Sequence, residues 1–161
     1  MFKLRDYQRK GIDSIFNLLE TSKRLVYHLA TGGGKTFLFS ALTKEFLQKG
    51  NYKVVILAHR TELVQQTINS LYSIGVRSES IVANKKYLNH SANVYVAMVE
   101  TVFKRLTKNP YFLPKIDLLI IDECHIMSFV KVLDLMLEIN PDLKILGVTA
   151  TPATTITEKT I

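Results

Sequence analysis

The 161-residue sequence is poor in cysteine, in long apolar runs and in acidic residues. Cys124 is the only cysteine, so no internal disulfide can form and a reducing, intracellular setting is expected. No window offers the roughly 18 consecutive apolar residues needed to cross a bilayer. The first six residues also lack the apolar run of a secretory signal. These absences predict a cytoplasmic protein without a membrane partner.

The shortage of acidic residues leaves the chain basic. It carries 21 Lys and Arg against 14 Asp and Glu, which gives a net charge of +7 with neutral histidines. This excess attracts polyanions, and nucleic acid is the natural candidate. A soluble basic protein that uses its lysines only to stay dispersed fits the composition equally. The hydrophobic fraction of 47% excludes a disordered chain, and the length suits one domain and not two.

Short apolar runs alternate along the chain with segments that have helical spacing. Strands are predicted at residues 25–29, 53–58, 80–83, 94–98, 118–121 and 144–148. Helices are predicted at residues 6–20, 35–48, 61–73, 101–108 and 129–139, with Thr61 as the N-cap of the third and a polar loop at 84–90. The alternation predicts an α/β fold with a mostly parallel sheet and ligands at the carboxyl ends of its strands.

A glycine-rich segment joins the first predicted strand to the helix at 35–48. Glycines let backbone N–H groups converge on phosphate oxygens, and the helix start adds a favourable partial positive charge. Leu29 holds the place of the first glycine in the general phosphate-loop pattern. A ligand-free turn is the structural alternative. The nucleotide-binding residues predicted here are Thr31, Gly32, Gly33, Gly34, Lys35, which reaches the β- and γ-phosphates, and Thr36, whose hydroxyl ligates Mg²⁺.

Two adjacent acids, Asp122 and Glu123, come directly after the apolar run at 118–121. We expect them at the carboxyl end of a buried strand, beside the phosphate loop if the two strands are neighbours. Asp122 can then hold Mg²⁺, and Glu123 can act as the general base for an attacking water. The alternative is an exposed strand end at which the acids cap the next helix. His125 alone would more often be an ordinary histidine.

With the loop at 32–36 and the Asp-Glu-Cys-His box at 122–125 in place, the chain resembles superfamily 2 helicases and translocases. It is most similar to the DECH-type group that contains restriction-enzyme motor subunits and phage and repair helicases. The resemblance covers nearly the whole chain. It implies a RecA-like sheet with helices on both faces, ATP and Mg²⁺ as cofactors, and a catalytic role for His125. Residues 4–8 resemble the adenine-reading motif, in which Arg5 and Gln8 would bind ATP.

Three further segments resemble family motifs that face nucleic acid. Residues 56–66 resemble motif Ia, which places Arg60 and Thr61 on the nucleic-acid backbone, although a surface salt bridge explains Arg60 equally well. Residues 96–102 depart from the family pattern at Met98 and Glu100, and Thr101 is the expected backbone contact. Residues 147–152 resemble motif III, which implies that Thr149 and Thr151 couple the acidic box to the nucleic-acid side.

The resemblance implies an ATP-driven motor that moves on DNA, with RNA less favoured, in a bacterial or phage-infected cell. Two alternatives remain open: a double-stranded DNA translocase subunit of a restriction or remodelling complex, and a non-motor nucleotide-dependent binding module. Residues 1–161 are expected to form the first RecA-like domain only. In the family a second RecA-like domain supplies an arginine finger, so we expect this piece alone to hydrolyse ATP slowly if at all.

Overall fold

The computed structural model describes residues 3–29, 34–123 and 128–150. The helices are α1 (Asp6–Leu19), α2 (Lys35–Gln48), α3 (Thr61–Ser73), α4 (Val99–Lys108) and α5 (Ser128–Ile139). The strands are β1 (Arg24–His28), β2 (Val54–Ala58), β3 (Glu79–Ile81), β4 (Val94–Met98), β5 (Leu118–Asp122) and β6 (Lys144–Thr149). In the described ranges, every helix is too short or too polar to cross a membrane.

The six strands form one parallel sheet in the order β1-β6-β5-β2-β4-β3. This arrangement confirms the predicted α/β class. The strand before the phosphate loop, β1, and the acidic strand, β5, are not neighbours, because β6 lies between them. The phosphate loop and the acidic pair therefore need a long side chain to bridge the width of one strand.

Helices cover both faces of the sheet, and the alternation of strand side chains assigns each strand residue to one face. Helices α1, α2 and α3 pack on the face that receives Leu118 and Ile120 of β5. Helices α4 and α5 pack on the other face, against Leu119 and Ile121. The side chains of residues 118–121 are at most 1% exposed, as expected for a central strand of a parallel sheet.

The third helix begins differently from the expectation. Thr61 is its first helical residue, and Arg60 is the N-cap, with extended backbone angles (φ −135°, ψ 144°). The Arg60 carbonyl accepts hydrogen bonds from the N–H groups of Leu63 and Val64. Prediction of Thr61 as the N-cap was therefore wrong by one residue, because the backbone alone makes this cap and no side-chain hydroxyl is used.

The polar loop at 84–90 is held against the sheet by two side chains. The buried hydroxyl of Tyr95 donates to the carbonyl of Asn89 at 2.5 Å. The Arg105 guanidinium donates to the carbonyls of Val82 and Lys85, at 3.0 and 2.5 Å. The loop thus has a defined position beside the carboxyl end of β3.

Tyr95 makes the stability of the fold sensitive to alkaline pH. Burial, reinforced by the charge of Glu79, raises the pKa of Tyr95 to about 12 from 10.0. Between these two values the unfolded chain ionises this tyrosine and the folded chain does not, so stability falls as the pH rises. We expect Tyr95→Phe to lower the free energy of unfolding at pH 7 by about 1 kcal/mol, through loss of the hydrogen bond, and to flatten the alkaline decline.

Urea unfolding across the alkaline range measures both effects. Tyr111→Phe is the matched control, because Tyr111 is 84% exposed. An alkaline decline in Tyr95→Phe as steep as in the unmodified protein would show that Tyr95 does not cause it.

Candidate functional site

Lys35 and the two predicted acids form one cluster at the carboxyl edge of the sheet. The Lys35 amine lies 2.9 Å from Oδ1 of Asp122 and donates a hydrogen bond to Oε1 of Glu123. Asp122 is 2% exposed, and the Lys35 and Glu123 side chains are 18% and 23% exposed. The Lys35 amine at the start of α2 and the two acids after β5 are therefore in direct contact.

The sheet explains why Asp122 points at Lys35. Asp122 has the same parity in β5 as Leu118 and Ile120, so its side chain faces the helices α1–α3. Lys35 is the first residue of α2 on that face. Its long side chain therefore spans the strand β6 and meets the acid.

Glu123 reaches the same amine because its backbone breaks the alternation of the strand. It has φ 59°, and it is the one residue other than glycine with positive φ in the described part of the chain. The left-handed region costs about 1–2 kcal/mol for such a residue. Strain of this kind persists where the surroundings enforce it, and functional sites are common places for it.

The pKa of Lys35 reflects its place between two carboxylates. Burial acts to lower this pKa, but the hydrogen bonds and charges of Glu123 and Asp122 outweigh burial and raise it above the ordinary 10.5. Lys35 therefore carries a full positive charge at neutral pH. Apart from the Lys35 amine, the buried Oδ1 of Asp122 has no polar partner among the described residues.

The backbone at the end of β6 makes hydrogen bonds to the residues that follow β5 and β1. The Glu123 N–H donates to the Val148 carbonyl at 2.9 Å, and the Leu29 N–H donates to the Thr149 carbonyl at 3.0 Å. Thr149 itself is 1% exposed. The residue predicted to couple the site thus lies between the phosphate-loop strand and the acidic strand, and its coupling role stays a prediction.

Gln8 contacts Gly34 just before α2, and Arg5 contacts Gln8. The Gln8 side chain is buried, its Oε1 accepts from the Arg5 N–H at 2.9 Å, and its Nε2 lies 3.5 Å from the Gly34 carbonyl oxygen. Gly34 has φ 74°, and a Cβ there would stand 2.6 Å from Gln8 Nε2. Position 34 therefore suits only glycine, and the role of Gln8 and Arg5 towards adenine stays a prediction.

Thr36 borders an open groove of about 580 Å³ with Gly34 and Lys35, and the far wall is formed by α3 residues that include Gln66 and Asn69. In the described ranges, no group of three or more His, Cys, Asp or Glu side chains is arranged so that it could hold a metal ion. The predicted residues Thr31, Gly32, Gly33, His125 and Thr151 lie outside those ranges.

A second groove, of about 760 Å³, brings two predicted nucleic-acid contacts together. Thr61 at the start of α3 and Thr101 in α4 both line it. Three exposed lysines on its walls come from two segments: Lys86 from the polar loop, and Lys104 and Lys108 from α4. We call this surface, with its two threonines and three lysines, the basic groove.

Sequence reasoning missed the three lysines. The spacing of Lys104 and Lys108 on one helical face was a readable signal, but the loop lysine joins them only in the folded chain. Arg60 is exposed at the α3 N-cap and makes no ion pair with any described residue. The salt-bridge alternative for Arg60 thus has no support in the described part of the structure.

The parallel sheet, with Lys35 and the acidic pair meeting at its carboxyl edge, defines a domain of the RecA-like class. The sequence comparisons agree. The chain belongs to the family described as type III restriction enzyme, res subunit, whose model matches residues 1–154.

Among curated proteins, the chain is 39% identical over 131 residues to IRC3 of Saccharomyces cerevisiae, whose name assigns it to the ATP-dependent helicases. The match covers 76% of this chain and 19% of that protein. It is also 29% identical over 168 residues to the ATP-dependent DNA helicase MPH1 of Candida albicans, covering 96% of this chain and 14% of that protein. The chain thus spans a small part of these relatives.

Among solved structures, the type ISP restriction-modification enzyme LlaGI, determined with a DNA substrate mimic, superposes with a TM-score of 0.77 at 20% identity, over 96% of this chain and 18% of LlaGI. The UvsW helicase of bacteriophage T4 superposes with a TM-score of 0.73 at 19% identity, over 93% of this chain and 53% of that chain. These likenesses show the RecA-like fold.

Proposed function

We propose that this domain binds ATP with Mg²⁺ and hydrolyses it to drive movement on nucleic acid. The observation that carries the proposal is the Lys35 amine held between Asp122 and Glu123 at the start of α2. A phosphate-binding lysine and a metal-binding acid must meet around one triphosphate, and the direct contact of Lys35 with both acids supports these roles. The curated relatives with ATP-dependent names support ATP as the nucleotide.

The acidic pair fits a divalent cation. Asp122 is buried with an oxygen whose described polar partner is the positively charged Lys35 amine, so the site favours a cation at that position. Thr36 and Asp122 would hold Mg²⁺, since hydroxyl and carboxylate oxygens suit it and nucleotide phosphates commonly complete its shell. When bound, Mg²⁺ would neutralise developing charge on the phosphates.

In the proposed hydrolysis, Lys35 and Glu123 have different roles. Lys35 leaves the acids to contact the β- and γ-phosphates, and the helix start of α2 adds its partial positive charge. Glu123 orients the attacking water and accepts its proton. The strained backbone at Glu123 directs that carboxylate into the crevice, where Lys35 meets it in this structure.

DNA is the nucleic acid we propose first, with RNA second. The basic groove lies at the same sheet edge as the cluster and combines hydroxyls with three lysines, as a phosphate-backbone site requires. MPH1 is named as a DNA helicase, and LlaGI was solved with a DNA substrate mimic. Phosphate release with ATP, with and without DNA or RNA, tests the proposal on the protein with all its natural sequence: no stimulation by either polymer would contradict it.

The groove lysines give the second test. We expect Lys86→Ala and Lys104→Ala each to weaken binding of a DNA oligonucleotide several-fold. Each should also reduce the slope of log K against log salt by about 0.7 to 0.9, because one phosphate contact is lost. Fluorescence anisotropy between about 50 and 200 mM salt measures both quantities.

Lys115→Ala is the matched control for these variants. Lys115 is exposed and lies just before β5, at the opposite edge of the sheet. If Lys115→Ala changed the salt slope as much as the groove variants, the binding would be non-specific attraction to the whole basic surface.

We also propose that efficient turnover uses a second RecA-like domain with an arginine finger. The last arginine of this sequence, Arg105, is engaged with the carbonyls of Val82 and Lys85, where it shapes the groove loop. Residues 1–161 alone should therefore hydrolyse ATP slowly. A rate from this fragment equal to that of the protein with all its natural sequence would contradict this proposal.

Movement on intact duplex and strand separation are two outcomes of the same chemistry. Strand-displacement and triplex-displacement assays on the protein with all its natural sequence distinguish them. A protein that binds nucleotide but shows neither activity would fit the non-motor alternative.

A further inference from the structure

His59 stands between the acidic pair and the basic groove. It directly follows β2, which lies between β5 and β4. In the strand register, Leu57 lies opposite Ile121. His59 is the first residue after β2, and Glu123 is the first residue after the neighbouring strand β5. On its other side β2 pairs with β4, whose last residue, Met98, lines the basic groove.

The imidazole ring also contacts the helix that follows the acidic box in sequence. It packs edge-to-face against Phe129, with ring centroids 6.5 Å apart and an angle of 83°. Phe129 is buried near the start of α5. His59 lies between the end of β2 and Arg60, the N-cap of α3. Through Phe129 it connects this segment to α5, the helix that follows the acidic pair.

The Nδ1 atom of His59 is buried and makes no hydrogen bond with the described residues. A buried polar atom without a partner costs free energy, and such atoms are rare in native proteins. The arrangement is explained if Nδ1 gains its partner in another state of the domain.

We propose that His59 is a positioning residue that couples nucleic acid in the basic groove to hydrolysis at the acidic pair, through a hydrogen bond that Nδ1 makes only when both ligands are bound. This inference rests on the proposed function. Nucleic acid bound at the start of α3 would displace the backbone beside His59. The imidazole ring would transmit this displacement to α5 through its contact with Phe129. Coupling of this kind is reciprocal, so ATP also changes the affinity for nucleic acid.

Three substitutions separate the hydrogen bond from packing. Asparagine places a polar atom close to the position of Nδ1, glutamine places one close to Nε2, and phenylalanine keeps the ring without either nitrogen. The three variants, His59→Asn, His59→Gln and His59→Phe, are compared with the unmodified protein, each with all its natural sequence. The measurements are ATP affinity, basal turnover, DNA-stimulated turnover and thermal unfolding.

We expect all three variants to keep ATP affinity and basal turnover. His59→Asn should keep the stimulation by DNA, and His59→Gln and His59→Phe should lose about tenfold of it. Normal stimulation in His59→Phe, or an equal loss in His59→Asn and His59→Gln, would overturn the proposal. If phenylalanine prevents folding, the contrast between asparagine and glutamine still decides. Absence of DNA stimulation in the unmodified protein would instead refute the proposed function.

Discussion

Replacement of Lys35 by alanine is expected to lower ATP turnover by about a hundredfold or more, the scale seen when one donor to developing charge is removed. The Lys35 amine is the positive charge that both acids hold at the start of α2. Without it, the γ-phosphate loses its main side-chain partner in the transition state. Steady-state phosphate release at saturating ATP and DNA measures the loss.

Lys44→Ala is the control for this variant, because Lys44 is an exposed lysine of the same helix whose amine donates to the Ile74 carbonyl. Removal of Lys35 also leaves the buried Asp122 without its positive partner, which destabilises the fold. The double variant Lys35→Ala/Asp122→Asn removes that buried charge, and thermal unfolding reports the recovery. Normal turnover in a folded Lys35→Ala variant would show that Lys35 does not serve the phosphates.

Glu123→Gln is expected to lower turnover by about 10² to 10⁴, the usual contribution of a general base, while ATP still binds. The amide keeps the size of the side chain but cannot accept a proton from water. ATP should bind at least as tightly as before. In the variant, Lys35 is paired with one carboxylate and not two, so less ion-pair energy is lost when it moves to the phosphates. Titration with a fluorescent ATP analogue and phosphate release together measure this split.

Glu138→Gln, an exposed position on α5, is the matched control for that variant. Loss of ATP binding in Glu123→Gln, in parallel with turnover, would assign Glu123 to nucleotide binding and not to proton transfer. Unchanged turnover would move the base to another residue.

The strands were predictable from sequence because strands covered on both faces read as continuous apolar runs. The observed bounds of β5 and β6, Leu118–Asp122 and Lys144–Thr149, extend each prediction by one residue. The helix α4 begins at Val99, two residues before its predicted start at Thr101. Its N-cap, Met98, has no side-chain cap, so the sequence carried no polar signal there.

The meeting of Lys35 with Asp122 was predictable from the motifs, but the strand between them was not. Periodicity is a local property of the chain, and strand order depends on which helical crossover packs where. The left-handed backbone of Glu123 was equally hidden, because glycine, asparagine and aspartate are the usual residues there. These two features decide the geometry of the candidate site.

The basic groove shows a similar limit. Thr61 and Thr101 were named from their motifs, and the structure places both on one surface. The lysine of the polar loop joins them because Tyr95 and Arg105 fix that loop. Such a meeting of distant segments follows from tertiary packing, which a linear pattern does not encode.

The strand β6 links the two sides of the candidate site. The Val148 carbonyl accepts a hydrogen bond from the N–H of Glu123, after the acidic strand. The Thr149 carbonyl accepts one from the N–H of Leu29, directly after β1. Because adjacent residues of one strand accept these two hydrogen bonds, a displacement of β6 along its axis would move Glu123 and Leu29 together.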